Sequence, residues 1–218
     1  MAEVKVVQEF MQANDAVAED NRRLLAERGV VAVNLMASPG AGKTSLILRT
    51  AHALSGRARI GVIEGDTASQ VDADRVAAAG IPVVQVNTGG GCHLDAPMVR
   101  TALDALPLDE IDLLLIENVG NLVCPAGFRL GESQNVVIAS VPEGDDKPYK
   151  YPAMFLAADV VVVNKIDLLP YLDFDLPGFH RLVRGLNPRA RLLDVSCRTD
   201  EGLAEWADWL AGLRAQRD

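Results

Sequence analysis

Apolar residues follow two patterns along this chain. Over residues 1–28 they recur near helical spacing among charged residues, which predicts a helix that ends near Gly29. Further on, short continuous runs of Val, Ile and Leu predict buried strands. These runs lie at 30–36, 58–65, 82–87, 111–118, 133–140, 157–165 and 190–196. Helices are predicted between them at about 44–54, 71–80 and 98–106, and after the last strand at 201–213.

The strand pattern indicates the fold class. Continuous apolar strands, unlike alternating ones, are typical of a sheet that is covered on both faces. Strands that alternate with helices predict an α/β fold with a mostly parallel, helix-flanked sheet. We therefore expect an N-terminal helical extension at 1–28 and one α/β domain at 29–218.

Composition narrows the classes of function. The chain has 218 residues, of which 49% are hydrophobic and 23% charged, enough for one domain with its own core. Its net charge of −9 argues against a nucleic-acid partner, which a basic surface would attract. Three cysteines are a poor disulfide framework and fit a reducing compartment. With no signal-like start and no apolar run near the roughly 20 residues that span a bilayer, we expect a cytoplasmic protein without a membrane partner.

A phosphate-binding loop follows the first strand. ASPGAGKT, at 37–44, fits the P-loop pattern except that Ala37 replaces the usual first glycine. Glycines let successive backbone N–H groups turn toward phosphate oxygens, and the start of the next helix adds its positive dipole end. Lys43 can reach the β and γ phosphates, and Thr44 can offer its hydroxyl to Mg²⁺. The predicted phosphate-binding residues are Gly40, Ala41, Gly42, Lys43, Thr44 and Ser45.

A second loop has the pattern of a guanine-binding element. Asn164, Lys165 and Asp167 form NKID at the end of the sixth predicted strand. A carboxylate there can accept both the N1–H and the N2 amine of guanine, which adenine does not offer. Ser196 and Cys197 follow the seventh strand, where GTPases often carry a Ser-Ala-Lys segment. Together with the P-loop, these residues predict GTP and GDP binding.

Carboxylates end two other predicted strands. Glu64, Asp66 and the nearby Asp72 offer ligands for Mg²⁺, and we assign Asp66 together with Thr44. Glu117 ends the fourth strand and is the candidate to orient the attacking water, while the Gly120 N–H can approach the γ-phosphate. The predicted catalytic residues are Lys43, Thr44, Asp66 and Glu117. Because no arginine finger is evident, we expect slow intrinsic hydrolysis of GTP to GDP and phosphate.

Two cysteines and a histidine lie in loops that should emerge near the nucleotide. Cys92 and His93 follow a run of three glycines, and Cys124 follows the fourth strand. Thiolates and an imidazole suit Zn²⁺ or Ni²⁺. The spacing is not that of a zinc finger, so on spacing alone the cysteines fit small buried residues as well.

Taken together, the motifs resemble the hydrogenase nickel-incorporation GTPases of the HypB type. The resemblance rests on segments spread over about 30–200. They are SPGAGKTSL, EGDTASQVDADR, CHLDA, ENVGNLVCPAGFRLGE, VPEGDDKPYKYPAMF and NKIDLLPYLDFDL. It implies a dimer-switching P-loop G domain that forms a homodimer on GTP binding. Cys92, His93 and Cys124 would then bind nickel or zinc near the dimer interface. The implied partners are a small zinc-containing nickel chaperone and the hydrogenase large-subunit precursor.

The chain departs from this family in places, and other interpretations stay open. It has neither a cysteine motif near residue 1 nor a histidine-rich stretch, so nickel storage is not expected. Ser69 replaces the threonine expected in the first switch, and Lys147 and Lys150 either reach a partner or belong to a solvated loop. The alternatives are a urease-type or cobalamin-enzyme GTPase chaperone, a non-catalytic nucleotide-gated metal-binding scaffold, or a small-molecule kinase.

Overall fold

Strands and helices alternate along the chain in the order that the apolar pattern predicts. The computed structural model describes residues 6–215, with side chains from residue 9 onward. Its strands are β1 (Val31–Ala37), β2 (Ile60–Asp66), β3 (Val83–Asn87), β4 (Leu113–Glu117), β5 (Gln134–Ser140), β6 (Val160–Asn164) and β7 (Arg191–Asp194). Its α-helices are α1 (Val6–Glu27), α2 (Lys43–Ala53), α3 (Val71–Ala78), α4 (Ala96–Ala105), α5 (Lys147–Lys150), α6 (Pro152–Ala157), α7 (Leu176–Leu186) and α8 (Leu203–Ala215). Short 3₁₀ segments lie at Leu108–Glu110, Cys124–Gly127, Val141–Glu143 and Ile166–Tyr171.

The seven strands form one sheet in the order β3-β2-β4-β1-β5-β6-β7. Neighbouring strands pair in parallel throughout, with β1 in the middle between β4 and β5. Because all the strands run the same way, the loops that follow β1, β2, β4 and β6 leave the sheet at one edge. That edge is where α/β proteins bind ligands. The predicted fold class is therefore confirmed.

Helices cover both faces of the sheet, and this explains the continuous apolar runs. All seven residues of β1 are buried. Side chains alternate between the two faces of a strand, so each strand supplies two layers of core. One layer packs against α2 and α8, and the opposite layer lies under α1 and α4 at one end and α6 and α7 at the other.

The structure differs from the predicted elements in two segments. Helix α7 lies in a segment with no predicted helix, because Pro177, Gly178 and Gly185 weaken the helical signal there. The Asp175 side chain caps this helix by accepting the Gly178 N–H at 2.9 Å, and Phe179 anchors it in the core. Short helices α5 and α6 likewise occupy a segment predicted as a loop.

Helix α1 packs directly on the domain. It lies against α4 and β1, and Leu25 is part of the core beneath it. The helix ends as predicted: Gly29 has φ of 68°, and the Val30 N–H donates to the Leu25 carbonyl at 2.9 Å. Residues 1–5 of the predicted extension lie outside the described residues, and the domain boundary near 28 stays a prediction. Over 6–215, no helix is both long and apolar enough to cross a bilayer.

Candidate nucleotide and metal sites

The phosphate loop connects β1 to α2. Gly40 and Gly42 have positive φ values of 78° and 103°, and Gly42 caps the start of α2. A Cβ atom on Gly42 would lie 2.4 Å from the Asn164 amide nitrogen, so only glycine fits there. Ala37 ends β1 and does not need a positive φ, which explains why alanine is tolerated in place of glycine.

The guanine-binding element contacts the phosphate loop. The Asn164 amide donates to the Ala41 carbonyl at 2.9 Å, and Lys165 Nζ donates to the Gly40 carbonyl at 2.6 Å. Asn164 is buried, and Lys165 has the left-handed φ of 63° that turns the chain away from β6. The two loops, about 120 residues apart in sequence, therefore form one unit.

Two adjoining cavities flank this contact. Residues of the phosphate loop line a cavity of about 600 Å³, and the guanine-binding element lines a smaller one of about 300 Å³. Gly42, Ser45 and Lys165 line both cavities. This arrangement suits one ligand with a polyanionic tail in the larger cavity and a flat base in the smaller one.

The smaller cavity holds its carboxylate in a fixed position. Ser196 Oγ donates to Asp167 Oδ1 at 2.7 Å and accepts the N–H groups of Arg198 and Thr199. Cys197 also lines the cavity, and burial raises the pKa of its thiol to about 11. Cys197 is therefore a neutral residue in the cavity lining. Ser196 holds the Asp167 carboxylate in place through its hydroxyl.

Three carboxylates meet in the larger cavity. Oxygens of Glu64, Asp72 and Glu117 lie within 4.8 Å of one another. Thr44 Oγ1 donates to Glu117 Oε1 at 2.9 Å, while the Oε2 atoms of Glu64 and Glu117 are buried without a hydrogen-bond partner in the described part of the chain. Burial raises the pKa of Glu64 to about 8 and that of Glu117 to about 7. Unpartnered carboxylate oxygens beside a threonine hydroxyl fit a hard divalent cation such as Mg²⁺.

Asp66 has different surroundings. It lines the same cavity, but its Oδ1 accepts the Ala68 and Ser69 N–H groups at 2.9 and 2.6 Å, which lowers its pKa. Its role as a magnesium ligand and catalytic residue stays a prediction, and the geometry favours Glu64 and Asp72 as the acids beside Glu117. Arg75, which no sequence motif indicated, also lines the cavity and pairs with Asp72 at 3.0 Å.

The predicted thiol and imidazole ligands come together. One ligand atom each from Cys92, His93 and Cys124 lies within 4.8 Å of the other two. Cys92 Sγ is 3.6 Å from His93 Nδ1, and the Asn121 amide donates to Cys124 Sγ at 3.3 Å. Burial lowers the pKa of His93, which favours the neutral imidazole that a metal requires. We name these three residues the thiol cluster.

A single segment, residues 117–124, runs from the larger cavity to the thiol cluster. Glu117, Asn118 and Gly120 line the cavity, and Cys124 belongs to the cluster. A Cβ atom on Gly120 would lie 2.9 Å from Pro39 of the phosphate loop, so this segment touches that loop closely. The Asn118 side chain also accepts the N–H of Leu94, the residue after His93, at 3.1 Å. The sequence did not single out Asn118 and Asn121, because their only signal is a polar residue after a buried strand end.

The two lysines after β5 are paired within their own loop. Lys147 Nζ lies 3.7 Å from Glu143 and 5.6 Å from the centre of the Tyr151 ring, and Lys150 pairs with Asp146. Contact of either lysine with a partner stays a prediction.

Comparison with known proteins identifies the class. Residues 31–194 match the CobW/HypB/UreG nucleotide-binding domain family. The chain therefore belongs to that family of nucleotide-binding proteins.

Relatives place it within the family. The hydrogenase maturation factor HypB of Azotobacter vinelandii is 49% identical, with 98% of this chain and 71% of that protein covered. The crystal structure of hydrogenase maturation factor HypB from Archaeoglobus fulgidus has a TM-score of 0.87 at 42% identity, covering 93% of this chain and 99% of that one. HypB from Helicobacter pylori in complex with nickel has a TM-score of 0.90 at 36% identity, covering 94% and 96%. Within the family, the chain is of the HypB type.

Proposed function

We propose that this protein binds and hydrolyses GTP and delivers nickel during the maturation of a hydrogenase. The observation that carries the proposal is the 117–124 segment, which contributes to both the nucleotide cavity and the thiol cluster. The nickel-bound HypB relative and the curated relatives named as hydrogenase maturation factors support it.

Recognition of GTP follows from the two cavities. The Asp167 carboxylate accepts the N1–H and N2 amine of guanine, and the Ser196 contact keeps it in place. The stem of Lys165 covers the base, and the backbone N–H groups of the glycine-rich loop receive the phosphates. ATP is rejected because adenine would leave the carboxylate without its donors.

In the proposed hydrolysis step, charged side chains neutralise the phosphates and orient the attacking water. Lys43 neutralises the β and γ phosphates, and Glu117 orients a water for in-line attack on the γ-phosphorus. The bond between that phosphorus and the bridging oxygen breaks, giving GDP and inorganic phosphate. Thr44, Glu64 and Asp72 would hold Mg²⁺, which neutralises phosphate charge when bound. Turnover is slow because Arg75 is paired with Asp72 and no second arginine lines the cavity in the described chain.

Nickel is the cargo. Cys92, His93 and Cys124 supply three soft or borderline ligands, and a second copy of the chain in a GTP-dependent homodimer can complete the shell. Contact of Gly120 with the γ-phosphate shifts the segment that carries Cys124, so nucleotide state changes nickel affinity. Linkage requires nickel to change nucleotide affinity by the same factor. The partners we propose are a small zinc-containing chaperone and the hydrogenase large-subunit precursor.

The test measures the Ni²⁺ dissociation constant by competition with a chromophoric chelator. Protein without nucleotide, with GDP and with a non-hydrolysable GTP analogue is compared, and light scattering records the oligomeric state. Variants Cys92→Ala, His93→Ala and Cys124→Ala should each lose the tight site. His52→Ala is the control, because His52 is exposed on α2, outside the cluster.

Different outcomes contradict different parts of the proposal. Equal nickel affinity in all nucleotide states would refute the coupling. No phosphate release above background with Mg²⁺ and GTP would leave a nucleotide-gated scaffold in place of an enzyme. Nickel binding that survives all three cluster variants would exclude the thiol cluster as the site.

A further inference from the structure

Helix α1 lies across the two segments that carry the ligands of the thiol cluster. One segment continues from Cys92 and His93 into the start of α4 at Ala96, and the other continues from Cys124 to Gly131. Asn14 of α1 bonds to both. Its Oδ1 accepts the Ala96 N–H at 2.9 Å, and its Nδ2 donates to the Arg129 carbonyl at 2.9 Å.

Asn21 makes a second bridge between the same segments. Its Nδ2 donates to the Ala96 carbonyl at 2.9 Å and to the Leu130 carbonyl at 2.9 Å. Asn14 and Asn21 are 3% and 0% exposed, so water does not compete for these bonds. The chain also approaches α1 closely at Gly131, where a Cβ atom would lie 2.8 Å from the Ala18 carbonyl.

Aromatic rings extend this contact to a cluster ligand. The Phe128 ring stacks on the His93 ring with centroids 3.8 Å apart and planes at 29°. Phe10 of α1 meets Phe128 edge-on at 6.1 Å. Helix α1 therefore supports the imidazole through Phe128 as well as the two backbone segments through its asparagines.

We propose that Asn14 and Asn21 are positioning residues of the metal site. Each ties the segment that follows His93 to the segment that follows Cys124, and so fixes the separation of the two halves of the ligand set. A metal ion needs all three ligand atoms at bonding distance at once, so a looser separation lowers affinity. This inference rests on the proposed nickel site and gives the N-terminal helix a role in it.

The test uses purified full chain and Ni²⁺ alone as the probe. Asn14→Ala and Asn21→Ala should each weaken nickel affinity, by less than the roughly 10- to 100-fold that follows the loss of a residue bonded directly to a metal ligand, because they act through the backbone of the two segments. The thiolate-to-nickel charge-transfer absorption should shift or weaken at saturating metal. GDP affinity should stay at the wild-type value, because neither asparagine lines the nucleotide cavities.

Asn187→Ala is the matched control. Asn187 is also a buried asparagine, and its amide donates to the Phe155 and Ala158 carbonyls at 3.0 and 2.8 Å, away from the cluster. It should lose similar thermal stability while nickel affinity and absorption stay unchanged. A purely structural role for Asn14 and Asn21 would give the same pattern in their variants, and that result would overturn the inference.

A second pair of variants decides the matter if the asparagine variants do not fold. Phe10 is 53% exposed and Phe128 is half-buried, so Phe10→Ala and Phe128→Leu spare the core. Both should weaken nickel binding, by up to roughly tenfold for the lost edge-to-face pair. Wild-type nickel affinity in both Phe10→Ala and Phe128→Leu would overturn the role of helix α1 but would leave the proposed nickel site intact. Wild-type nickel binding in Cys92→Ser and Cys124→Ser would instead overturn the proposed nickel site.

Discussion

Replacing Asp167 with asparagine should change the base that the protein accepts. The Asp167 carboxylate lines the smaller cavity, with Oδ1 held by the Ser196 hydroxyl at 2.7 Å. An asparagine can keep that contact through its amide oxygen and place an NH₂ group where the second carboxylate oxygen was. The guanine N2 amine would then meet a donor, whereas the C2 carbonyl of xanthine would meet its complement.

The size of the effect follows from the bonds lost. Each hydrogen bond between guanine and the carboxylate contributes about 1.5–3 kcal/mol because the acceptor is charged. The substitution removes the bond to the N2 amine, which costs about 1.5–3 kcal/mol and weakens GDP binding by roughly 10- to 10²-fold. Xanthosine diphosphate should recover most of this loss in the variant and should bind wild type poorly.

Calorimetry with Mg²⁺ and either diphosphate measures both constants. Ser196→Ala is the graded control: it removes one neutral contact to the carboxylate and should weaken GDP binding by about 1 kcal/mol, or roughly fivefold. Thermal unfolding confirms that both variants are folded. Wild-type GDP affinity in Asp167→Asn, or no gain for the xanthine nucleotide, would refute the assignment of this cavity to guanine.

Three further predictions concern other residues of the cavity and the core. Burial raises the pKa of Glu64 to about 8 and that of Glu117 to about 7. Above the ordinary glutamate pKa of 4.5, the unfolded chain releases these two protons, whereas the metal-free folded protein keeps them. Urea unfolding should show stability falling between about pH 5 and pH 8, by up to roughly 1.4 kcal/mol per pH unit for each group, and less steeply in Glu64→Gln. Gly120→Ala should weaken nucleotide binding in calorimetry, because its Cβ would lie within 3.1 Å of Pro39. Trp206→Phe should lower the free energy of unfolding by about 1–3 kcal/mol, because it removes the indole N–H that donates to the buried Thr50 hydroxyl at 2.7 Å. Stability that does not change with pH would contradict the first prediction. Unchanged nucleotide affinity in Gly120→Ala would contradict the second, and unchanged stability in Trp206→Phe would contradict the third.

Local sequence patterns predicted much of the fold and of the nucleotide site. The seven strands, the phosphate loop and the guanine-binding element depend on side-chain periodicity and on glycine conformations that act within a few residues. Helix α7 was not predicted because its proline and glycines have low helix propensity. The helix forms because Asp175 caps it and packing against the core stabilises it. Tertiary packing overrode a weak local preference there.

Strand register decided which acids share a site. Glu64 and Asp66 are both on β2, two residues apart, and their sequence positions do not distinguish them. In the sheet Glu64 pairs directly with Glu117 of β4, while Asp66 pairs with Asn87 of β3 and caps its own turn. Register is set by burial across the whole sheet, so no local pattern reveals it.

The sequence alone therefore determined the class of fold, the nucleotide loops and the candidate thiol ligands, because each is written in short segments with their own conformational requirements. Only the tertiary structure brought Cys92 and His93 to Cys124, selected Glu64 as the neighbour of Glu117, and laid Asn14 and Asn21 across both ligand segments. These contacts join residues some 30 to 115 positions apart. They exist because a parallel sheet gathers its loops at one edge and a helix packed on that sheet reaches several of them at once.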